Sequence, residues 1–351
     1  MSNPFIDYSQ YKEFSFCEWK WYEKYIAQQR RAPKPGQQDD VLTLGSLTHA
    51  GLQYLREQGR AEVPAAAIIE HSPTPECLAW ATQLVQGYAQ TYPVEPFTAQ
   101  RCEHAIRFPL IEGMDGLAKI DRYFHIDKEL QLESGLGDSF VLSPGTYVHE
   151  YKTKAASRAV GDYIDAWKVN MQAAFQMLAL QSYTGERPQG LLVNVLEKPQ
   201  EYKPKHTCKA CKVLSERREW LATGDGYACP SCGNQQKLDF SHSPKVARVA
   251  KYYRLRVTRS DAELEAALSD IKVAAKRMLE IRATQEVTRA TERCVDQITM
   301  RKCDYFEPHT AERSAEGWQG FVHVDALRYV GEEIKIPLKP AAQLDISSEV
   351  C

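Results

Sequence analysis

Several things are missing from this sequence, and each absence excludes something. No run of about 18 apolar residues occurs, so no membrane span is expected. The opening MSNPFIDYSQ has no basic stretch leading into an apolar one, so no secretory signal is expected and the reducing cytoplasm is the expected location. A surplus of one charge is missing too. The 44 lysines and arginines nearly balance 46 aspartates and glutamates, for a formal net charge of -2. That excludes a uniformly basic nucleic-acid coat while allowing a local basic groove. GxxxxGK followed by Ser or Thr is absent, so the chain shows no P-loop for ATP. Internal repeats and low-complexity tracts are absent as well.

What remains is the composition of an ordinary globular protein. Its 351 residues, 43% hydrophobic and 26% charged, suffice for one large α/β domain with an insertion or about two average domains. SQYKEFSFCEWKWYEKYI predicts one helix capped by Ser9, with Phe14, Cys17, Trp21 and Tyr25 along one face. RRAPKPGQQDD, broken by two prolines, predicts a linker. LGSLTHAGLQYLREQG predicts a helix with Leu44, Leu47, Leu52 and Leu55 inward and Gly59 as its stop, and a third helix is expected over residues 76–92.

The period then changes. AIRFPL, GLAKIDRYFHI and TYVHEYKT predict three strands, residues 162–183 a single helix, and GLLVNVLE a buried strand. A cysteine-rich module follows, then the strand KYYRLRVT, a long helix from residue 261 to about 283, and LRYVGEEIKI as a last strand. The expected fold class is α/β, organised as a core in residues 1–205 and 241–351 interrupted by a small module in 206–240.

In YVHEYKTKA, alternation puts Val148, Glu150 and Lys152 on one strand face and His149, Tyr151 and Thr153 on the other. Taken alone, Glu150 and Lys152 read as a charge pair on a solvated face. Upstream, however, Asp121 stands in the middle of an apolar strand, where Leu117, Lys119, Asp121 and Tyr123 are expected to share a face. An aspartate there is costly unless paired or metal-bound. Two carboxylates on neighbouring strands can hold a hard cation such as Mg²⁺ through oxygen ligands. Such a metal lowers the pKa of bound water and polarises a phosphodiester, and the Lys152 ammonium can orient that water or neutralise charge on the phosphate.

Ten cysteines include CKAC (Cys208, Cys211) and CPSC (Cys229, Cys232), giving C-x2-C-x17-C-x2-C, a zinc-ribbon spacing. A redox dithiol pair is the alternative, and two pairs without a thioredoxin-like context argue against it. Four thiolates make a closed site, so a zinc here is structural. Basic and aromatic residues flank the module, compatible with touching nucleic acid or with a solvated surface.

These motifs, in this order, resemble the RecB-type branch of the PD-(D/E)XK nuclease superfamily, which includes CRISPR-associated and phage recombination exonucleases. GSLTH (Gly45 to His49) fits that branch's GxxxH helix, GLAKID supplies the aspartate Asp121, EYK supplies Glu150 and Lys152, and NMQAAFQ places Gln172 where the family has QxxxY. The matches run from the N-terminus to about residue 183. The resemblance implies a restriction-endonuclease-like core and a Mg²⁺- or Mn²⁺-dependent DNA nuclease. It implies His49, Asp121, Glu150 and the Tyr151 carbonyl as ligands of the catalytic metal, Lys152 as the catalytic lysine, and Gln172 as positioning Lys152 or the phosphate. One departure is plain: four residues after Gln172 stands Gln176, not tyrosine, which puts DNA contacts at that end in doubt.

The resemblance also implies a [4Fe–4S] cluster joining the chain's ends. Cys17, Cys294 and Cys303 match three of its ligands, and His309 stands near where the last cysteine is expected. Packed thiols or a simpler zinc site remain alternatives. With no P-loop, DNA unwinding would fall to a helicase or recombination partner protein. A different class of function keeps the fold as a non-catalytic nucleic-acid adaptor binding through its ribbon. A zinc-ribbon transcription accessory protein leaves the first 200 residues unexplained.

Overall fold

A computed structural model describes residues 3–31, 40–155, 159–199, 205–216, 219–224, 226–238, 249–288, 303, 321–323 and 333–335. The chain opens with a short strand, β1 (Phe5–Ile6), helices α1 (Tyr8–Phe16) and α2 (Glu18–Tyr25), and strand β2 (Gln29–Arg31). Helices α3 (Asp40–Gln58), α4 (Ala65–His71) and α5 (Pro75–Thr91) follow. Next come the long strands β3 (Ala99–Ile111) and β4 (Met114–Ile126), a hairpin of β5 (Leu130–Glu133) and β6 (Ser139–Leu142), and β7 (Gly145–Lys154). Helices α6 (Val160–Lys168) and α7 (Met171–Thr184) lead to β8 (Gly190–Glu197). Five short strands form the cysteine module: β9 (Lys205–Thr207), β10 (Leu214–Glu216), β11 (Leu221–Thr223), β12 (Gly226–Ala228) and β13 (Gln235–Gln236). The chain continues through β14 (Lys251–Val257), α8 (Asp261–Thr284), β15 (Phe321–His323) and β16 (Glu333–Lys335).

The core is a seven-stranded mixed sheet in the order β14-β8-β7-β4-β3-β16, with β1 also pairing β4. Strands β7 and β8 run parallel, while β4 is antiparallel to both β3 and β7. β8 is buried along its whole length, the property expected of a parallel strand covered on both faces. Because β14 pairs antiparallel with β8 starting at Lys251 and Glu197, the cysteine module leaves and rejoins the sheet at one point.

Helices cover both faces. On one, Phe175 and Met177 of α7 and Ile271 and Met278 of α8 pack with Val148 of β7 and Ile106 of β3. On the other, Leu47 and Leu52 of α3 and Leu84 and Val85 of α5 pack with Tyr151 of β7 and Leu196 of β8. Burying each such leucine contributes about 1.5–3 kcal/mol relative to leaving it exposed. Local signals support these helices. Ser260 and Glu263 form a reciprocal capping box that starts α8, and Gly59, at φ +69°, follows the end of α3 as expected.

Three expectations need correction. The first helix is two, because Cys17 is extended (φ -163°, ψ 116°), and its cap is Asp7 instead of Ser9. Within α2 the fully buried Trp19 and Trp21 enter different clusters, Trp21 with Phe14 and Trp19 with Cys17. Residues 162–183 also split, at Val169 and Asn170, where the Asn170 side chain accepts from Gln172 N and starts α7. Finally, alternation in β4 fails near Asp121: Ile120 and Tyr123, three apart, pack into the same cluster. No described helix is long and apolar enough to cross a membrane. Of the expected strand at 327–336, only Glu333–Lys335 lies within the described residues.

Candidate active site and a four-cysteine cluster

β4 and β7 pair from Ile126 and Gly145 as far as Arg122 and His149, and the pairing ends there. β7 continues against β8 on its other edge, with Glu150 opposite Val193 and Lys152 opposite Val195. A buried N–H left without a ladder partner must find another acceptor. Tyr151 N–H finds the Asp121 carboxylate, donating to Oδ2 at 2.8 Å. The aspartate thus replaces a strand partner where the sheet opens.

Two groups of side chains meet at this opening. From α3, on the Tyr151 face, His49 brings Nδ1 to 3.3 Å from Asp121 Oδ1. Asp121 is only 7% exposed. Burial alone would raise its pKa, but the neighbouring His49, then Lys152 and the Tyr151 N–H, hold it well below the usual carboxylate range. His49 in turn is raised: burial disfavours its charged form and Asp121 more than compensates.

From α7, on the opposite face, Gln172 Nε2 donates to Glu150 Oε1 at 2.9 Å and Gln176 Nε2 to Oε2 at 2.7 Å. The Lys152 ammonium also contacts Oε1. Glu150 is 2% exposed, and burial followed by the Asp121 charge pushes its pKa up. For Lys152, burial favours the neutral amine, but Glu150 and Asp121 outweigh it and keep the ammonium.

The expected residues His49, Asp121, Glu150, Tyr151, Lys152 and Gln172 therefore gather at one opening. They are not packed as a ready-made cage. Among the described residues, the group of three or more ligand-type side chains with all ligand atoms within 4.8 Å is the four cysteines; His49, Asp121 and Glu150 do not close to that spacing. Gln172 contacts Glu150, where positioning of Lys152 or phosphate was expected. Sequence reasoning missed Gln176, which also bonds the Lys119 carbonyl at 3.0 Å. Its signal was there: residues four apart on a helix share a face.

A buried polar network backs the strand. Tyr88 donates to Glu95 at 2.8 Å and to Asn194 at 3.2 Å, Arg254 reaches both, and Asn194 contacts His149. Burial and the charges of Arg122 and Arg254 hold His149 well below its ordinary pKa, so it is neutral.

The cysteine module builds a second site. Cys208 and Cys232 sulfurs are 3.6 Å apart and those of Cys211 and Cys229 are 3.7 Å apart. A tetrahedral zinc with bonds of about 2.3 Å needs sulfur separations of about 3.8 Å. Each CxxC sits in the same turn. Lys212 N donates to the Cys208 carbonyl and Gly233 N to that of Cys229, with Lys212 at φ 61° and Gly233 at φ 70°. Trp220 packs against the buried Cys208 and Cys229. The geometry and donor set fit a metal such as zinc.

Cys17 lies with Trp19 in a small cluster against which Cys303, 286 positions later in the sequence, packs. Cys294 and His309 lie outside the described residues. The sequence matches no protein-family model, and comparison with curated proteins finds no match.

Proposed function

We propose that this chain is a metal-dependent DNA nuclease of the RecB-type PD-(D/E)XK kind, acting as an exonuclease in recombination or repair of phage or bacterial DNA. The observation that carries the reading is the opening between β4 and β7, where Asp121, Glu150, Lys152 and His49 gather beneath two glutamines. Three of the four donors, two carboxylates and the Tyr151 carbonyl, suit a hard cation, and the fourth is the His49 imidazole. When bound, Mg²⁺ or Mn²⁺ supplies an acidified water and charge stabilisation at the phosphate.

The side chains have separate tasks. Asp121 is held ionised by His49 and the Tyr151 N–H. Gln172 and Gln176 fix both oxygens of Glu150. The Lys152 ammonium faces the charge that develops on phosphorus-bound oxygen. In the net reaction the water oxygen bonds to phosphorus, the bond to the leaving deoxyribose oxygen breaks, and that oxygen gains a proton. In this reading the cysteine module is a structural zinc ribbon inserted in the nuclease core. In the same reading Cys17 and Cys303, which pack in one small cluster, belong to an iron–sulfur ligand set.

One observation favours a second reading, a non-catalytic nucleic-acid adaptor: both Glu150 oxygens are already occupied by protein donors. Purified protein with Mg²⁺ or Mn²⁺ on end-labelled linear and on circular DNA decides between them. Cleavage is expected, with Asp121→Ala and Lys152→Ala each losing about 10²–10³-fold or more. Full activity of Lys152→Ala overturns the assignment, and binding without cleavage on every substrate selects the adaptor.

A further inference from the structure

Beside the opening lies a cleft of about 620 Å³ between α1 and the α6–α7 junction. Such a volume falls within the range of small-ligand sites. Its walls are aromatic: Tyr8 and Tyr11 from α1 face Tyr163 and Trp167 from α6. Lys152 and Gln172, both in the candidate active site, also line it, as does Lys12. Among the described residues, no aspartate or glutamate lines it. Tyr11 is braced edge-on against Phe175 at 5.8 Å, and Trp167, 3% exposed, closes the floor. The Lys152 ammonium lies 5.9 Å from the Trp167 ring.

The cleft thus joins flat apolar walls to a cation at the place assigned to the reacting phosphate. A nucleotide has the same layout, with a planar base one sugar away from its phosphate. Unphosphorylated peptides and aliphatic lipids lack that pairing. We propose that this cleft is a nucleobase subsite, holding by stacking the base next to the scissile phosphate. A base stacked in a helix cannot enter, since it must first leave its neighbours. The substrate is therefore an unpaired strand or a frayed end in preference to a paired duplex interior, where the base would first have to flip out. This proposal rests on the nuclease reading for the identity of the phosphate end.

Binding without hydrolysis tests it separately. Full-length protein, without added Mg²⁺ or Mn²⁺ and without chelator, is titrated into labelled oligothymidylate. An equally long abasic deoxyribose-phosphate strand and a blunt duplex serve as comparisons, with fluorescence anisotropy as the readout. Oligothymidylate is expected to bind about tenfold more tightly than the abasic strand, the scale of one aromatic–base stack. Tyr11→Ala and Tyr163→Ala are expected to bring that ratio towards one, while Tyr11→Phe and Tyr163→Phe, which keep the rings, preserve it. Equal affinity for abasic and base-bearing strands overturns the proposal, as does an unchanged ratio in both folded alanine variants. DNA cleavage together with equal affinity for abasic and base-bearing strands removes the subsite alone. Base-dependent binding with no cleavage under any metal removes the nuclease reading and leaves the subsite standing.

Discussion

Replacing Gln176 with leucine probes the site through a residue other than the Glu150–Lys152 pair. The change removes a 2.7 Å hydrogen bond to Glu150 Oε2 and a 3.0 Å bond to the Lys119 carbonyl. Gln176 is 1% exposed and Glu150 2%, so water cannot replace either bond. A hydrogen bond to a charged group contributes about 1.5–3 kcal/mol and a neutral one about 1 kcal/mol, so Gln176→Leu should cost roughly 2–4 kcal/mol. The cost should depend on pH. Glu150 already has a raised folded-state pKa. Its contribution to stability is therefore full below the unfolded glutamate value of about 4.3 and is lost as pH rises through the folded value. Removing a donor to the ionised form raises the folded value further and extends that loss. Urea unfolding followed by tryptophan fluorescence, without divalent ions, should show a larger deficit at pH 8 than at pH 5. A deficit equal at both pH values, or below about 0.5 kcal/mol, would refute the reasoning.

Elemental analysis should find about one zinc per chain, and Cys208→Ser should abolish it; a structural zinc contributes roughly 10–16 kcal/mol to folding its module. Limited proteolysis after chelation should then cut within residues 205–238 and spare the sheet, and a metal-free protein with an intact module would contradict the four-cysteine site. Anaerobic purification should give a brown protein that Cys17→Ser bleaches. A colourless, iron-free preparation would leave Cys17 and Cys303 as packed thiols.

What the sequence made legible follows from the range of each interaction. Strands β4, β7 and β8 were readable because alternation and continuous apolar runs are local consequences of burial. The cysteine cluster was readable from spacing, since one tetrahedral ion fixes where four sulfurs must stand. The break at Cys17 was not readable. No proline or glycine marks it, and what holds it is distant: Trp19 N donates to the Thr288 carbonyl, and Arg277 reaches the Glu18 carboxylate. Asn170 did announce α7 as a capping residue, but the apolar period running from Trp167 to Leu178 masked it. Helix α4 and the β5–β6 hairpin went unread because each is too short for its period to register. Gln176 was set aside as a departure from QxxxY, although its place one turn after Gln172 aims both amides at Glu150.

The irregular places share a location. The break at Asn170 starts a new helix one residue before Met171, setting Gln172 and Gln176 over Glu150 and leaving Val169 74% exposed at the cleft. The end of pairing after Arg122 and His149 frees the Tyr151 N–H for Asp121. A continuous helix through residues 160–184 would have satisfied local propensity, but it would have carried α6 and its Tyr163 and Trp167 along the α7 axis. A sheet zipped through Asp121 would have taken the Tyr151 N–H away from its buried carboxylate. Each departure from regularity costs hydrogen bonds or packing nearby, and a stable fold retains such conflicts mainly where a site needs them. Here both departures point into the same opening, the one at which the candidate site lies.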